Sequence, residues 1–487
     1  GQACGWLREQ GYEFDQKSLF MQCRYLNRFR LQKDFVDLSV FSKNRLINYL
    51  QGGEDGEISR EANKLADILD IESYDTIIVP MSNELINPRR NWRLMMALPV
   101  LKERVSDDQL VIVGGPKLTE DMELVRFSFV DYAVDGDLEL PLGNIFSHEF
   151  GGEELVVEPG VMVERDGELL RGSSYQHPVE MKPRPYFNPE LLEKYAKVSL
   201  FDIPIIPYQI GYGCTQDCSF CTYFEDQSYQ YKSVDKVVEE LRQLKKETGA
   251  ENFWFVDRNL FNDPDYMEEL ALRFQEEGLD ISWGGLSIIV SRDQEFFDTL
   301  AEGGCTAMQH GIESASDSVL HRMRKHQNRQ MIENTLEKEH KAGIKTFAGF
   351  ITDYVDETWD EFKETVDFVS ENKYLLGGEA TALRVYPTER QPLYREPEEF
   401  GIELKESEEE DWMNLSHDFN VPFSDGRGKM GNAQESVRTF KESYLQKKID
   451  LNLFLRNYAI QNPVAFTKLQ LRKLWYKDYE DITHQFV

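Results

Sequence analysis

"GYGCTQDCSFCTYF", residues 211–224, places three of the chain's six cysteines within eight positions. Thiolates at the spacing of Cys214, Cys218 and Cys221 can wrap one metal centre. A closed structural zinc site asks for four ligands, and the closest downstream histidine or cysteine is Cys305, on a different predicted unit. A four-iron cluster held by three thiolates instead leaves one iron without a protein ligand. That open position can take a substrate or a cofactor. Cys305 itself, in "EGGCTAM", reads as a small buried side chain.

Working outward, residues 200 to 400 alternate between strand-like and helix-like runs. Strands are predicted at 206–211, 252–257, 281–287, 306–311, 344–351 and 379–385. The helices between them carry apolar stripes; Val234, Val237, Val238, Leu241 and Leu244 share one face. Six such units predict a partial (β/α)6 barrel whose working face lies at the strand C-terminal ends. The cysteines follow its first strand.

Upstream, "DTIIVPMS" (75–82), "QLVIVGGP" (109–116) and "VDYAVDGD" (130–137) read as strands, and "RRNWRLMMALPVLKERV" (89–105) as an amphipathic helix. The alternation predicts an α/β, doubly wound parallel sheet with ligands at the strand carboxyl ends. "VMVERDGELLRG" (161–172) reads as a short hairpin within a connecting segment. The expected organisation is therefore a doubly wound domain over 1–148, a linker over 149–200, a barrel over 201–400 and a mostly helical C-terminal region over 401–487. The acidic run "ELKESEEEDW" that opens this last region reads as a solvated face.

The formal net charge is −32 and the sequence pI near 4.7. Such a field repels nucleic acid and anionic lipid, so neither is an expected partner. No apolar run is long enough to span a membrane and no basic, apolar leader opens the chain, which points to the cytoplasm. The first residue is Gly1, not Met. Six cysteines in 487 residues do not make a disulfide framework.

The C-x-x-x-C-x-x-C motif after a first barrel strand, with Phe220 before its last cysteine, resembles the radical S-adenosylmethionine superfamily. The resemblance implies a [4Fe-4S] cluster on Cys214, Cys218 and Cys221, with S-adenosylmethionine chelating the open iron. Reductive cleavage of that cofactor gives a 5′-deoxyadenosyl radical, which removes hydrogen from an unreactive carbon. "FWFVDRNLF" (253–261) resembles the segment ending the second strand, so Asp257 and Asn259 are expected to face the cofactor. "MQHGIESAS" (308–316) resembles the fourth-strand segment, with Glu313 and Ser314 near the methionine or ribose portion. Two stretches depart from the family pattern: "GFITDYVDETWDEF" (349–362) and "LRVYPTERQPLY" (383–394). Both are expected to border the substrate space, which makes Arg384 and Tyr386 candidate substrate contacts, with a role in closing the core as the alternative.

From about residue 5 to 390 the chain is similar to the cobalamin-dependent branch of that superfamily. The similarity runs through "CGWLREQGYEFDQKSL", "VIVGGP", "VDYAVDGDLELPL" and "PRPYF". It implies a Rossmann-like cobalamin-binding domain in which Gly114, Gly115, Pro116 and Gly136 approach the corrin, while Ser82 and Asn83 bond its amide fringe. Histidine is missing from residues 1–147, and so is the D-x-H-x-x-G motif, so this domain is expected to leave cobalt without a histidine ligand. The chain is also expected to begin beyond the family's first strand. The resemblance implies a methyltransferase acting on an unactivated carbon of a small molecule, peptide or protein, with an electron donor such as a flavodoxin or ferredoxin. Radical rearrangement, oxidation or cyclisation without methyl transfer, and an electron-transfer or sensing role, are the alternatives.

Overall fold

The computed structural model describes residues 2–16, 40, 43–50, 52–80, 97–115, 125, 127–190, 192–193, 205–221, 228–352, 354–372, 374–376, 380–384 and 391–402. Ser82, Asn83, Pro116, Tyr386, the Arg384 side chain and the C-terminal region from residue 403 lie outside that set. The chain forms two compact units. One contains residues up to Ile206 together with Asp235–Asn252; the other contains Pro207–Val234 and continues from Phe253.

In the first unit, β1 (Thr76–Pro80), β2 (Leu110–Gly115) and β3 (Tyr132–Asp135) are parallel neighbours. The helices are α1 (Gln2–Glu9), α2 (Lys43–Leu50), α3 (Gly56–Leu69), α4 (Ala97–Arg104) and α5 (Glu139–Glu149). Because side chains alternate along a strand, β2 feeds two separate cores. Val111 and Val113 pack with Leu46, Ile58, Leu65 and Leu98, whereas Ile112 packs with Leu7, Leu142, Ile145 and Phe146. Helices thus cover both faces, as the near-continuous apolar run of β2 requires. Asp55 caps α3, accepting from the Glu57 and Ile58 amides, which satisfies two of the orphan donors of a helix start.

The expected hairpin forms as β4 (Val161–Arg165) and β5 (Glu168–Arg171). Rather than standing apart as a connector, it joins the sheet, with β4 antiparallel to β3 through Ala133↔Met162. Val161, Met162 and Val163 are all buried, so this strand covers the edge that β3 would otherwise present.

In the second unit, β6 (Ile205–Tyr208) is followed by a two-stranded antiparallel ribbon, β7 (Gly211–Gly213) with β8 (Tyr229–Tyr231). The main sheet continues with β9 (Asn252–Phe255), β10 (Ser282–Ser287), β11 (Cys305–Glu313), β12 (Lys345–Thr352) and β13 (Ala380–Arg384), in the order β13-β12-β11-β10-β9-β6. All six barrel strands read from the sequence are present, and β10 to β13 pair in parallel. Helix α6 (Val234–Thr248), all but its first residue counted with the first unit, precedes β9 in sequence. It is followed in sequence by α7 (Pro264–Glu276), α8 (Gln294–Glu302), α9 (Asp317–Arg322), α10 (Arg329–Ala342), α11 (Trp359–Glu371) and the short α12 (Pro392–Arg395).

Alternate residues of this sheet are buried against helices. Ile312, Ala348 and Phe350 pack with Ile332 and Leu336 of α10 and Phe362 and Val366 of α11. His310 sits in the same layer, with Nε2 2.7 Å from Glu339 and Nδ1 3.0 Å from the Ser287 hydroxyl. Opposite residues, among them Trp254, Leu286, Gln309 and Phe347, look out of the other face and stay partly or fully open. Among the described residues no helix is long and apolar enough to cross a membrane.

Candidate active site

The cysteine loop leaves β7 at Gly213, whose φ of +95° suits glycine alone. A Cβ there would lie 2.0 Å from the carbonyl oxygen of Ser228, the residue before β8. From this point the loop is fixed at several places. Asn262 receives the Thr215 amide at 3.1 Å and donates to the Gly213 carbonyl at 3.2 Å. Asp217 meets His326 Nε2 at 2.9 Å. The Ser219 amide donates to the Met323 carbonyl, and the Ser219 hydroxyl lies 2.6 Å from the Tyr354 hydroxyl. Gln391 donates to the Phe220 carbonyl at 2.6 Å, and the Leu393 amide donates to the Ser219 carbonyl at 3.0 Å. Phe220 is half-buried against Val319, Met323, Tyr354 and Leu393.

Tyr354 and Gln391 come from the two stretches that depart from the family pattern. Those stretches are expected to border the substrate space; among their described residues, these two brace the cysteine loop. Ser219, Asn262 and Gln391 were missed as well. Only Ser219 carried a signal, its position inside the motif.

Cys218 is buried, and Cys214 and Cys221 are partly exposed. Burial pushes the Cys218 thiol up to about 12; the Lys325 cation pulls it back, while Cys221, Glu313 and Cys214 push it further. Those influences place the three thiols, Glu313 and Lys325 in one electrostatic neighbourhood. Among the described residues no three histidine, cysteine or carboxylate side chains converge as a single-ion site. The donor set nevertheless fits an iron–sulfur cluster: three soft sulfur ligands on one braced loop beside a cation that favours thiolate.

Asp257 is 5% exposed and bridges two strands. Its oxygens accept the Ile210 amide at 3.0 Å and the Gly211 amide at 2.5 Å, immediately before the cysteine loop. Burial raises its carboxyl to about 7 despite those bonds and the nearby Lys232. Asn259 is similarly occupied, accepting from the Phe261 and Ile288 amides and donating to Asn262. Ser314 accepts from the Ser316 amide and lies 3.1 Å from Thr365 Oγ1. These three side chains shape the walls of the site through bonds within the protein.

Glu313 is different. It adopts a left-handed φ of +65° where the β11–β12 register shifts, and its carboxylate folds back to within 2.3 Å of where a Gly311 Cβ would lie. Only a glycine at 311 leaves room for it. Its nearest cation, Lys325 Nζ, is 3.9 Å away, and their side chains are 14% and 5% exposed. That separation exceeds a hydrogen bond.

In the first unit, the β2 and β3 glycines have internal reasons. A Cβ at Gly114 would meet Val134 backbone at 2.4 Å, and one at Gly136 would meet the Tyr175 carbonyl oxygen at 1.9 Å. The same strand end carries buried Asp137, paired with Lys182 at 2.9 Å. It also carries Glu139, whose Oε2 is buried without a hydrogen-bond partner among the described residues. The unit's two described histidines have both ring nitrogens engaged: His148 with Glu153 and Arg165, His177 with Tyr175 and Met181. Glu139 Oε2 is an unfilled acceptor, among the described residues, of a kind suited to a corrin's amide fringe.

Residues 208–369 match the radical SAM superfamily. An uncharacterized methyltransferase of Pyrococcus horikoshii is 26% identical over 274 residues, covering 55% of this chain and 59% of that protein. The bacteriochlorophyllide d C-12(1)-methyltransferase of Chlorobaculum tepidum is 25% identical over 312 residues, 62% of each chain. The chain therefore spans about three-fifths of the length of these relatives. In fold, it is similar to the radical S-adenosylmethionine methyltransferase TsrM of Kitasatospora setae, solved with cobalamin and a [4Fe-4S] cluster. The TM-score is 0.54 at 15% identity, over 74% of this chain and 72% of that one.

Proposed function

We propose that this chain, whose residues 208–369 match the radical SAM superfamily, is a cobalamin-dependent enzyme that transfers a methyl group to an unactivated carbon. The observation that carries this reading is the cysteine loop: three thiols in C-x-x-x-C-x-x-C order, braced from α9, α12 and the β12–α11 loop, beside Glu313 and Lys325 at the strand C-terminal ends. Methyl transfer is favoured over rearrangement or oxidation by the names of the Pyrococcus and Chlorobaculum relatives, both methyltransferases.

A cluster, S-adenosylmethionine and cobalamin bound here would supply hydrogen abstraction and a transferable methyl group. The protein's own part is positional and electrostatic. Cys214, Cys218 and Cys221 would hold the cluster as thiolates, so loading releases protons. Lys325 and Glu313 present opposite charges suited to the carboxylate and ammonium of an amino acid head group. Asp257 fixes the backbone from which the loop springs, and Phe220 with Tyr354 keeps water from its base. The glycine-bearing ends of β2 and β3, with Glu139, would receive the corrin.

The substrate is a small molecule or a peptide or protein side chain, and a flavodoxin or ferredoxin is the suitable one-electron donor. The redox chemistry suits the cytoplasm. Anaerobic protein loaded with iron, sulfide and cobalamin tests the reading. With a reductant it should release 5′-deoxyadenosine, and with its substrate S-adenosylhomocysteine and a product heavier by one methyl. Nucleoside without S-adenosylhomocysteine would replace methyl transfer by another radical outcome.

A further inference from the structure

The face of the second sheet that looks away from the helices has its own chemistry. Register places Leu286, Gln309 and Phe347 side by side across β10, β11 and β12. Gln309 is exposed although β11 has strands on both sides, and its amide makes no side-chain hydrogen bond among the described residues. Toward the strand starts, the Trp254 ring lies against Gly284, 2.9 Å from where a Cβ would stand, and meets Phe347 edge-on at 6.4 Å. Toward the strand ends, the next register pair is Gly311 and Gly349. Glu313 fills the space over Gly311, but a Cβ on Gly349 would meet only the His310 carbonyl, at 3.7 Å. Among the described residues this leaves a volume with a Trp254 floor, Leu286 and Phe347 walls and one neutral polar group, Gln309. Among the described side chains of β9 to β12, no charge faces it between Lys345 at the strand start and Glu313.

We infer that this volume receives the substrate's reacting portion, and that this portion is an uncharged, largely apolar group carrying one hydrogen-bonding substituent addressed by Gln309. The inference rests on the proposed function, since it is the hydrogen-abstraction chemistry that calls for a carbon held here. An apolar lining with few polar groups binds by area and selects by its hydrogen bond. A carboxylate or phosphate entering it would be stripped of water without a counter-charge. Gln309 is therefore a specificity-determining residue.

The test uses the full chain and three probes of one shape: toluene, p-cresol and p-hydroxybenzoate, titrated calorimetrically. p-Cresol should bind about 3- to 10-fold tighter than toluene, the worth of one hydrogen bond, and p-hydroxybenzoate at least about 10-fold weaker than p-cresol. Gln309→Leu should erase the p-cresol advantage and leave toluene unchanged. Gly349→Leu, at a position with room for a side chain, should abolish binding of all three without lowering the melting temperature. Equal or tighter binding of p-hydroxybenzoate, an intact p-cresol advantage in Gln309→Leu, or no binding at all by folded wild-type protein overturns the inference. Nucleoside release, measured on the same preparation, reports on the radical chemistry separately. Cleavage without probe binding defeats this inference alone, and probe binding without cleavage defeats the proposed function alone.

Discussion

Lys325 Nζ and Glu313 Oε1 face each other at 3.9 Å, both largely buried and without a hydrogen bond between them. Two opposite charges held just apart are poorly compensated, and a zwitterionic head group would satisfy both. Lys325→Met should weaken S-adenosylmethionine binding by about 10- to 100-fold, the range for a charge-assisted hydrogen bond. Methylthioadenosine, which lacks the amino acid head, should bind unchanged. Equilibrium titration of the two ligands checks the difference; equal losses for both would mean that Lys325 serves the fold.

Asp257 receives one backbone amide on each oxygen. Asn can accept on one side only, so Asp257→Asn should cost about 1–3 kcal/mol and lower iron retention on the loop. Burial raises the carboxyl from 3.8 to about 7, which favours the neutral form in the folded state. The stability this group contributes is complete below its unfolded value and is lost as pH rises through about 7. The penalty of Asp257→Asn should therefore be larger at pH 5 than at pH 8 in paired denaturant titrations.

Ser219 ties the middle of the cysteine loop to Tyr354 through buried hydroxyls. Tyr354→Phe should destabilise by about 1–2 kcal/mol, since it leaves the Ser219 hydroxyl and the Arg322 carbonyl without their phenol partner. Iron bound per chain after anaerobic desalting should fall, although no ligand has been removed. Unchanged iron content would show that the brace is dispensable.

Much of the fold was legible because its signals are local. Alternating apolar runs located all six strands of the second sheet, and cysteine spacing located the loop beside them. The braces were not legible, because each pairs residues far apart in sequence. Gln391 and Phe220 are separated by 171 positions, and nothing near Gln391 announces its partner. Lys325 lay unnoticed in the basic run "HRMRK", where nothing marks it as the cation that faces Glu313. The glycines at 114 and 136 were read as room for a ligand. Their spacing cannot reveal that the chain's own Val134 and Tyr175 stand where the Cβ atoms would be.

Gly136→Ala should therefore act on the first unit. With φ at +111° and the Tyr175 carbonyl in the way, the methyl group must displace the Asp135–Tyr175 segment. Cobalamin retention should fall while iron content and nucleoside release stay at wild-type levels. Loss of the cluster in the same variant would contradict the division of labour between the units.

The central claim, an iron–sulfur cluster on three thiolates with one iron open to S-adenosylmethionine, is tested most directly by replacing Cys214, Cys218 and Cys221 together with Ala. In reduced, anaerobic assays the wild type should hold about four irons per chain, as one [4Fe-4S] cluster requires, and release 5′-deoxyadenosine. The triple variant should fold, bind no cluster and release none. Nucleoside release by the triple variant, or zinc in place of iron in the wild type, would contradict the account.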